Sequence, residues 1–253
     1  MKSRRYFLNT GFVAGTTLKE EGFPEQNNMA LHVCEDAEVV LNNRRQLADA
    51  LGVPLSHFVC ANQTHSANFH RVTKDDVGRG AVDVETAIPN TDALYTYESD
   101  TVLCSFTADC VPVLFYHETS GLIGAVHSGW QGTVKEITLK LFEHLKREEQ
   151  CTMDHIHVQI GMALSQEKFE VDEDVYLKFK ALGYADEFMY VNEKTNKYHI
   201  DNQQVVKKQC ELAGIPSSQI AMDPTCTFMS GDGFSYRQDR KCGRHISYMM
   251  RKN

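Results

Sequence analysis

Two apolar runs, "VPVLFYH" at 111–117 and "GLIGAVH" at 121–127, are separated by the turn sequence "ETSG", and this arrangement constrains the chain more than any other stretch. Just before them, "VLCSF" at 102–106 is a continuous apolar run that reads as a strand buried on both faces, and a four-residue turn, His117 to Ser120, joins the two later runs as an antiparallel hairpin. Pairing 111–116 with 121–126 sets Tyr116 opposite Gly121, Leu114 opposite Ile123 and Pro112 opposite Ala125. Continuing that register sets Cys110 opposite His127, with Cβ atoms about 4.5–5.5 Å apart. From residue type alone, His127 is a hydrogen-bonded core histidine, half of a cysteine–histidine catalytic pair, or a metal ligand.

The surroundings of the pair favour chemistry. Thr107 and Asp109 belong to "TADC" at a strand end, and Gly129 and Gly132 free the backbone after His127. A third candidate is His65 in "NQTHSANFH", a polar stretch that offers the imidazole neither a helix nor a core. His65, Cys110 and His127 together would form a three-ligand zinc site with an open fourth position, the pattern of catalytic zinc.

Composition narrows the class. At 253 residues and 42% hydrophobic, the chain can bury a core without covalent staples. A formal net charge of −8 argues against nucleic acid as a partner but not against small anions. The eight cysteines are scattered without a CxxC pair, so they are expected to be reduced thiols in a cytoplasmic protein. "SRRYFL" at 3–8 resembles a twin-arginine export signal. The run behind it turns polar from Asn9 and charged by Lys19, so the arginine pair is read as accidental. No segment reaches the roughly 20 apolar residues of a membrane span.

No linker, repeat or low-complexity tract divides the chain, which is read as one domain over 1–253. Helices are expected at 35–51, with Gly52 as the stop, over "GTVKEITLKLFEHLKREE", near 172–182 and at 202–213. Thr133 and Glu136 have the spacing of a capping box, and Ile137, Leu141 and Leu145 share a face. Strands are expected at 57–61, 69–73, 102–106 and 156–161 besides the hairpin. Irregular alternation of strands and helices implies an α/β or α+β fold with mixed sheets.

The ordered set "NNMALHVCED…NNR", "NQTHS", "TDALYT", "TADCVPVLFY", "AVHSGWQG", "FEV", "CTF" and "FSYRQD…GR" resembles the polyphenol oxidase/purine nucleoside phosphorylase family, of YfiH/YlmD type and formerly described as laccase-like multicopper proteins. The resemblance runs from about residue 13 to 249. It implies a zinc site at His65, Cys110 and His127, and one domain whose helices flank two packed mixed sheets as a four-layer α/β/β/α sandwich. It also places "VAGTT" as an early strand. For activity it implies phosphorolysis of adenosine, inosine, guanosine and S-methyl-5′-thioadenosine to base and (methylthio)ribose 1-phosphate, together with adenosine deamination.

Phosphorolysis needs cations beside the metal. Arg44, Arg237 and Arg244 are the candidate phosphate ligands, with the helix N-terminus after "GWQG" as a further anion site. Cys226 in "DPTCTF" matches a family cysteine and is a candidate for the cleft wall. Three departures stand out: Gln131 replaces the arginine of "GWRG", Gln238 the second arginine of "FSYRR", and "EKFEV" the frequent "CCYEV". Partners are therefore purine nucleosides and phosphate, with a monomer or homodimer expected.

Two rivals use the same residues. A copper polyphenol oxidase would need about ten histidines in HxH pairs, whereas this chain has a single such pair, His155 and His157; copper in the zinc site would account for any oxidase activity. A cysteine hydrolase or amidase would use Cys110 with His127 but has no need of His65.

Overall fold

The structure is a computed structural model that describes residues 1–8 and 11–253. Asn9 and Thr10, where the N-terminal stretch turns polar, lie outside the described residues. Strands β1 (Ser3–Tyr6) and β2 (Phe12–Thr17) pair antiparallel, so the arginine pair of the signal-like motif is part of a sheet. Helix α1 (Ala37–Leu51) starts where the Asp36 carboxylate accepts the Glu38 amide, and stops at Gly52, whose φ of 76° suits glycine.

Short strands β3 (Phe58–Val59), β4 (Phe69–Arg71) and β5 (Ala93–Thr96) follow. Then come β6 (Val102–Thr107), β7 (Val111–His117) and β8 (Ile123–Ser128), buried along their whole lengths. Helices α2 (Trp130–Val134) and α3 (Ile137–Arg147) lead to β9 (Ile156–Ile160). The rest comprises β10 (Glu170–Val171), α4 (Glu173–Lys180), β11 (Met189–Asn192), β12 (Lys197–Ile200), α5 (Asn202–Leu212), β13 (Ile220–Met222) and β14 (His245–Arg251).

A five-stranded sheet in the order β1-β2-β14-β6-β3 and a six-stranded sheet in the order β13-β9-β7-β8-β5-β4 are both mixed. A third sheet, β10-β12-β11, is antiparallel. Leu103 and Met249 of the first large sheet pack against Leu114, Ile123 and Ala125 of the second. The alternate residues face outward onto helices: Val102, Cys104 and Tyr248 onto Leu47, Ala48 and Leu51 of α1, and Val113, Phe115 and Val126 onto Ile137, Leu141 and Leu145 of α3. The expected helix–sheet–sheet–helix layering is thus present, and it explains why β6 and β7 lack polar alternation: each strand has apolar neighbours on both faces. Phe169, Phe179, Ile200 and Val205 form a satellite core between the small sheet and its helices.

Two local expectations are corrected. The stretch after "GW" is two helices, because Glu136 takes φ 62° and breaks the backbone between them. Its carboxylate accepts the Tyr184 hydroxyl at 3.0 Å, so no capping box with Thr133 forms. The hairpin register also differs by two residues: Pro112 faces His127, Leu114 faces Ala125 and Tyr116 faces Ile123. Gly121, at φ 77°, ends the turn and does not join the strand, while His117 stays in register and donates its amide to Leu122.

All eight cysteines are free. Among the described residues no helix is long and apolar enough to cross a membrane.

Candidate metal centre

The two-residue shift preserves the site. An odd slip would send Cys110 and His127 to opposite faces, whereas an even one keeps them together. Cys110 stands just before β7, one step beyond the Val111–Ser128 pair, and His127 lies near the end of β8. The loop carrying His65 closes over them. The His65 Nε2 is 3.7 Å from the Cys110 Sγ, and the two imidazole rings meet edge to face at 4.8 Å. One ligand atom from each of His65, Cys110 and His127 lies within 4.8 Å of the others.

This group fits a metal ion. A thiolate with two imidazoles is a zinc-type donor set, and the space between the donors is kept open by Gly129. A β-carbon there would come 2.5 Å from His65 Cδ2 and 2.9 Å from Cys110 Sγ. Gly129 has φ −67°, so glycine is required for room and not for backbone freedom. That corrects its expected role.

Asp92, directly before β5, joins the two histidines. Its carboxylate accepts from His127 Nδ1 at 2.8 Å and from the amides of Thr64, His65 and Ser66 and the Ser66 hydroxyl at 2.6–3.2 Å. Burial opposes its charge, but the hydrogen bonds from His127 and Ser66 outweigh that and hold its pKa down to about 2. Burial likewise pushes the Cys110 thiol up, yet His127 and His65 bring it down to about 6. Burial lowers His127, and the Cys110 thiolate and Asp92 raise it to about 9. Between those values, without metal, the pair is thiolate and imidazolium.

Asp109 organises the opposite wall. It sits at φ 83°, and its carboxylate accepts the Thr227 hydroxyl at 2.6 Å and the Arg237 amide at 2.7 Å, fastening two distant loops beside Cys110. Two cavities meet at the ligand group, both touching His65, Cys110 and Tyr236. One, of about 530 Å³, is lined by Trp130, Phe169, Arg237 and the acidic Glu170, Asp172 and Asp174. The other, of about 820 Å³, is lined by His32, Arg44, Arg244, Gln63, Glu85 and Phe106. Both lie in the size range of small-molecule sites.

The remaining candidates divide. Arg237 reaches the smaller cavity, donating Nη1 to the Glu170 carbonyl at 2.8 Å. Arg244 borders the larger one, stacked on Tyr236 at 5.7 Å. Arg44 also borders it, but the side chain is 1% exposed and its Nε and Nη1 donate to the carbonyls of Met29, Gly80 and Ala81. It is a strut first and a source of charge second. Gln131 and Cys226 line neither cavity; Cys226 Sγ accepts the Ser165 amide and packs in the satellite core. The expected helix N-terminus lies inside "GWQG": α2 begins at Trp130 and has only five residues, too short to carry much of a dipole toward an anion.

Residues 13–252 match the family described as multi-copper polyphenol oxidoreductase laccase. The chain belongs to this family. Within the laccase family it is 35% identical over 249 residues to the purine nucleoside phosphorylase YlmD of Geobacillus stearothermophilus, covering 96% of this chain and 91% of that one. It is 32% identical to the purine nucleoside phosphorylase YlmD of Bacillus subtilis, over 95% of this chain and 89% of that one. The crystal structure of the Geobacillus YlmD superposes with a TM-score of 0.91 at 34% identity, over 96% and 93% of the two chains. The hypothetical protein YfiH of Bacillus licheniformis gives 0.90 at 34% identity, over 95% and 93%. These names support a nucleoside-processing enzyme, and the family supports metal binding.

In this laccase-family chain the HxH pair is not beside the ligand group. His155 and His157 both bond Glu118, at 2.6 and 3.1 Å, at the outer end of β9. Among the described residues, His65, Cys110 and His127 are the one group of three His, Cys, Asp or Glu side chains arranged to hold a metal. Sequence reasoning missed Asp92, which stands immediately before the wholly buried β5 and so enters the interior with it.

Proposed function

We propose that this protein is a zinc-dependent purine nucleoside phosphorylase that converts adenosine, inosine, guanosine and S-methyl-5′-thioadenosine to free base and (methylthio)ribose 1-phosphate, and that it also deaminates adenosine. The observation that carries this reading is the His65–Cys110–His127 group at the junction of two cavities, in a chain similar over its length to proteins named purine nucleoside phosphorylases.

When bound at His65, Cys110 and His127, zinc supplies Lewis acidity toward an oxygen in the cavity. The chain's own residues do the rest. Trp130, Phe169 and Tyr236 offer aromatic surface for a purine, and the carboxylates of Asp172 and Asp174 suit its N–H groups. Arg237 and Arg244 are the phosphate ligands in this reading, with Arg44 adding positive charge behind the wall. Placing phosphate beside C1′ while an oxocarbenium-like centre forms is work for such preorganised cations.

The copper oxidase reading lacks the further histidines a copper cluster would need beside His65 and His127, since His155 and His157 are bound to Glu118. The hydrolase reading has support in the lowered Cys110 thiol beside His127. Incubation with adenosine, with and without phosphate, separates them. Adenine and ribose 1-phosphate with some inosine are expected. A zinc-loaded protein that leaves every purine nucleoside unchanged would reject the proposal, and amide cleavage blocked by thiol alkylation would replace it with the hydrolase.

A further inference from the structure

Both imidazoles of the ligand group depend on one carboxylate. Asp92 Oδ1 accepts His127 Nδ1 at 2.8 Å and the His65 amide at 3.0 Å. Asp92 Oδ2 accepts the Ser66 hydroxyl at 2.6 Å and amide at 2.7 Å, and the Thr64 amide at 3.2 Å. The Asp92 carbonyl also accepts the His127 amide at 2.7 Å. The Asp92 side chain has no solvent exposure, so these partners determine where it sits.

The consequences for the two histidines differ. At His127, a carboxylate against Nδ1 requires the proton there, which leaves Nε2 as the atom facing Cys110. At His65 the contact is with the backbone. His65 has φ 57°, a left-handed conformation that a residue with a β-carbon adopts only when its surroundings hold it there. Three successive amides converging on one carboxylate hold it there, and that turn carries the ring over to Cys110, where Nε2 meets Sγ at 3.7 Å.

We propose that Asp92 is the positioning residue of the site, fixing His127 as an Nε2 ligand through its side chain and His65 as an Nε2 ligand through its loop. The inference rests on the metal reading of the His65–Cys110–His127 group but not on the identity of the substrate. Replacing a purely structural Asp92 would lower stability and leave metal affinity intact, whereas replacing a positioning Asp92 weakens metal binding in a protein that still folds.

The test compares wild type, Asp92→Asn and Ser66→Ala for thermal unfolding, for zinc affinity by chelator competition, and for which His127 nitrogen carries the proton in zinc-loaded protein by ¹⁵N NMR. Asp92→Asn is expected to unfold cooperatively, to bind zinc about 10- to 100-fold more weakly, and, when saturated with zinc, to change His127 from a single Nδ1–H form to a mixture. Ser66→Ala, which removes one of the Asp92 partners, is expected to lose affinity by a smaller factor. A folded Asp92→Asn protein with wild-type zinc affinity overturns the inference. If Asp92→Asn does not fold, Ser66→Ala decides: unchanged affinity overturns the inference and weakened affinity supports it. A wild-type protein that binds no zinc overturns the metal reading and this inference with it. Inactivity toward nucleosides alongside the expected zinc results removes only the substrate assignment.

Discussion

Gly129 faces Cys110 across the hairpin, and a β-carbon on it would lie 2.9 Å from the thiol. The glycine is therefore the floor of the ligand group. Gly129→Ala is expected to displace His65 and Cys110 and to remove metal binding while the domain still folds. The overpacking is expected to cost about 1–3 kcal/mol. Metal content of the purified variant, read beside its melting curve, checks this; full metal occupancy would contradict it.

One zinc per chain is expected, with Cys110→Ala or His127→Ala losing it along with activity. His127 is buried, and its removal takes from the buried Asp92 Oδ1 one of its two partners, leaving only the His65 amide, so a stability loss of about 1–3 kcal/mol should accompany the loss of function. Elemental analysis and a denaturant melt report on the two effects separately. Should His127→Ala lose its cooperative transition altogether, the imidazole is a core residue and not a ligand.

Arg237 presents a guanidinium to the smaller cavity from a loop fastened to Asp109. Arg237→Ala should raise the KM for phosphate roughly 10- to 100-fold, matching about 1.5–3 kcal/mol for a charge-assisted hydrogen bond. Gln131→Arg should lower that KM by a smaller factor, since position 131 lines neither cavity. Initial rates across a phosphate series would settle both, and an unchanged KM in Arg237→Ala would remove it from the phosphate site.

Acid should destabilise the fold through His245. Its Nδ1 donates to the Thr17 carbonyl at 2.6 Å, and its Nε2 accepts the Phe234 amide at 2.7 Å. Burial pulls its pKa down to about 4, the Thr17 hydrogen bond opposing, so the folded ring is neutral where the unfolded ring, near 6.5, takes up a proton. The unfolded state thus binds more protons between those values, and stability falls as pH drops from about 6.5 to 4, by up to about 3 kcal/mol. In His245→Asn the pH dependence of the unfolding free energy should flatten over that window. An identical slope in the variant would assign the acid loss elsewhere.

How much of this was legible in the chain varies by element. Helix α1 could be read at its C-terminal end, because a glycine stop acts within a few residues, whereas it begins at Ala37 behind the Asp36 cap and not at residue 35. The wholly buried β6 announced itself by an apolar run without alternation. The "GTVKEITLK" stretch misled: Thr133 and Glu136 have the right spacing for a cap, but Tyr184, far along the chain, takes the glutamate. Arg44 misled similarly, since nothing near "NNRR" shows that carbonyls of Met29, Gly80 and Ala81 will surround it.

Residue chemistry and local periodicity determined the candidate ligand types, the hairpin and an α/β class with mixed sheets, while the layering entered only as what the family resemblance implied. Those depend on side-chain identity and on neighbours within one turn or strand. The tertiary structure decided the two-residue register, set where Gly121 turns the backbone, the close approach that demands Gly129, and the bonds from Asp92 to residues 27 and 35 positions away. A hydrogen bond forms only between groups brought within about 3 Å, and sequence order carries no information about that distance once the chain has crossed between layers.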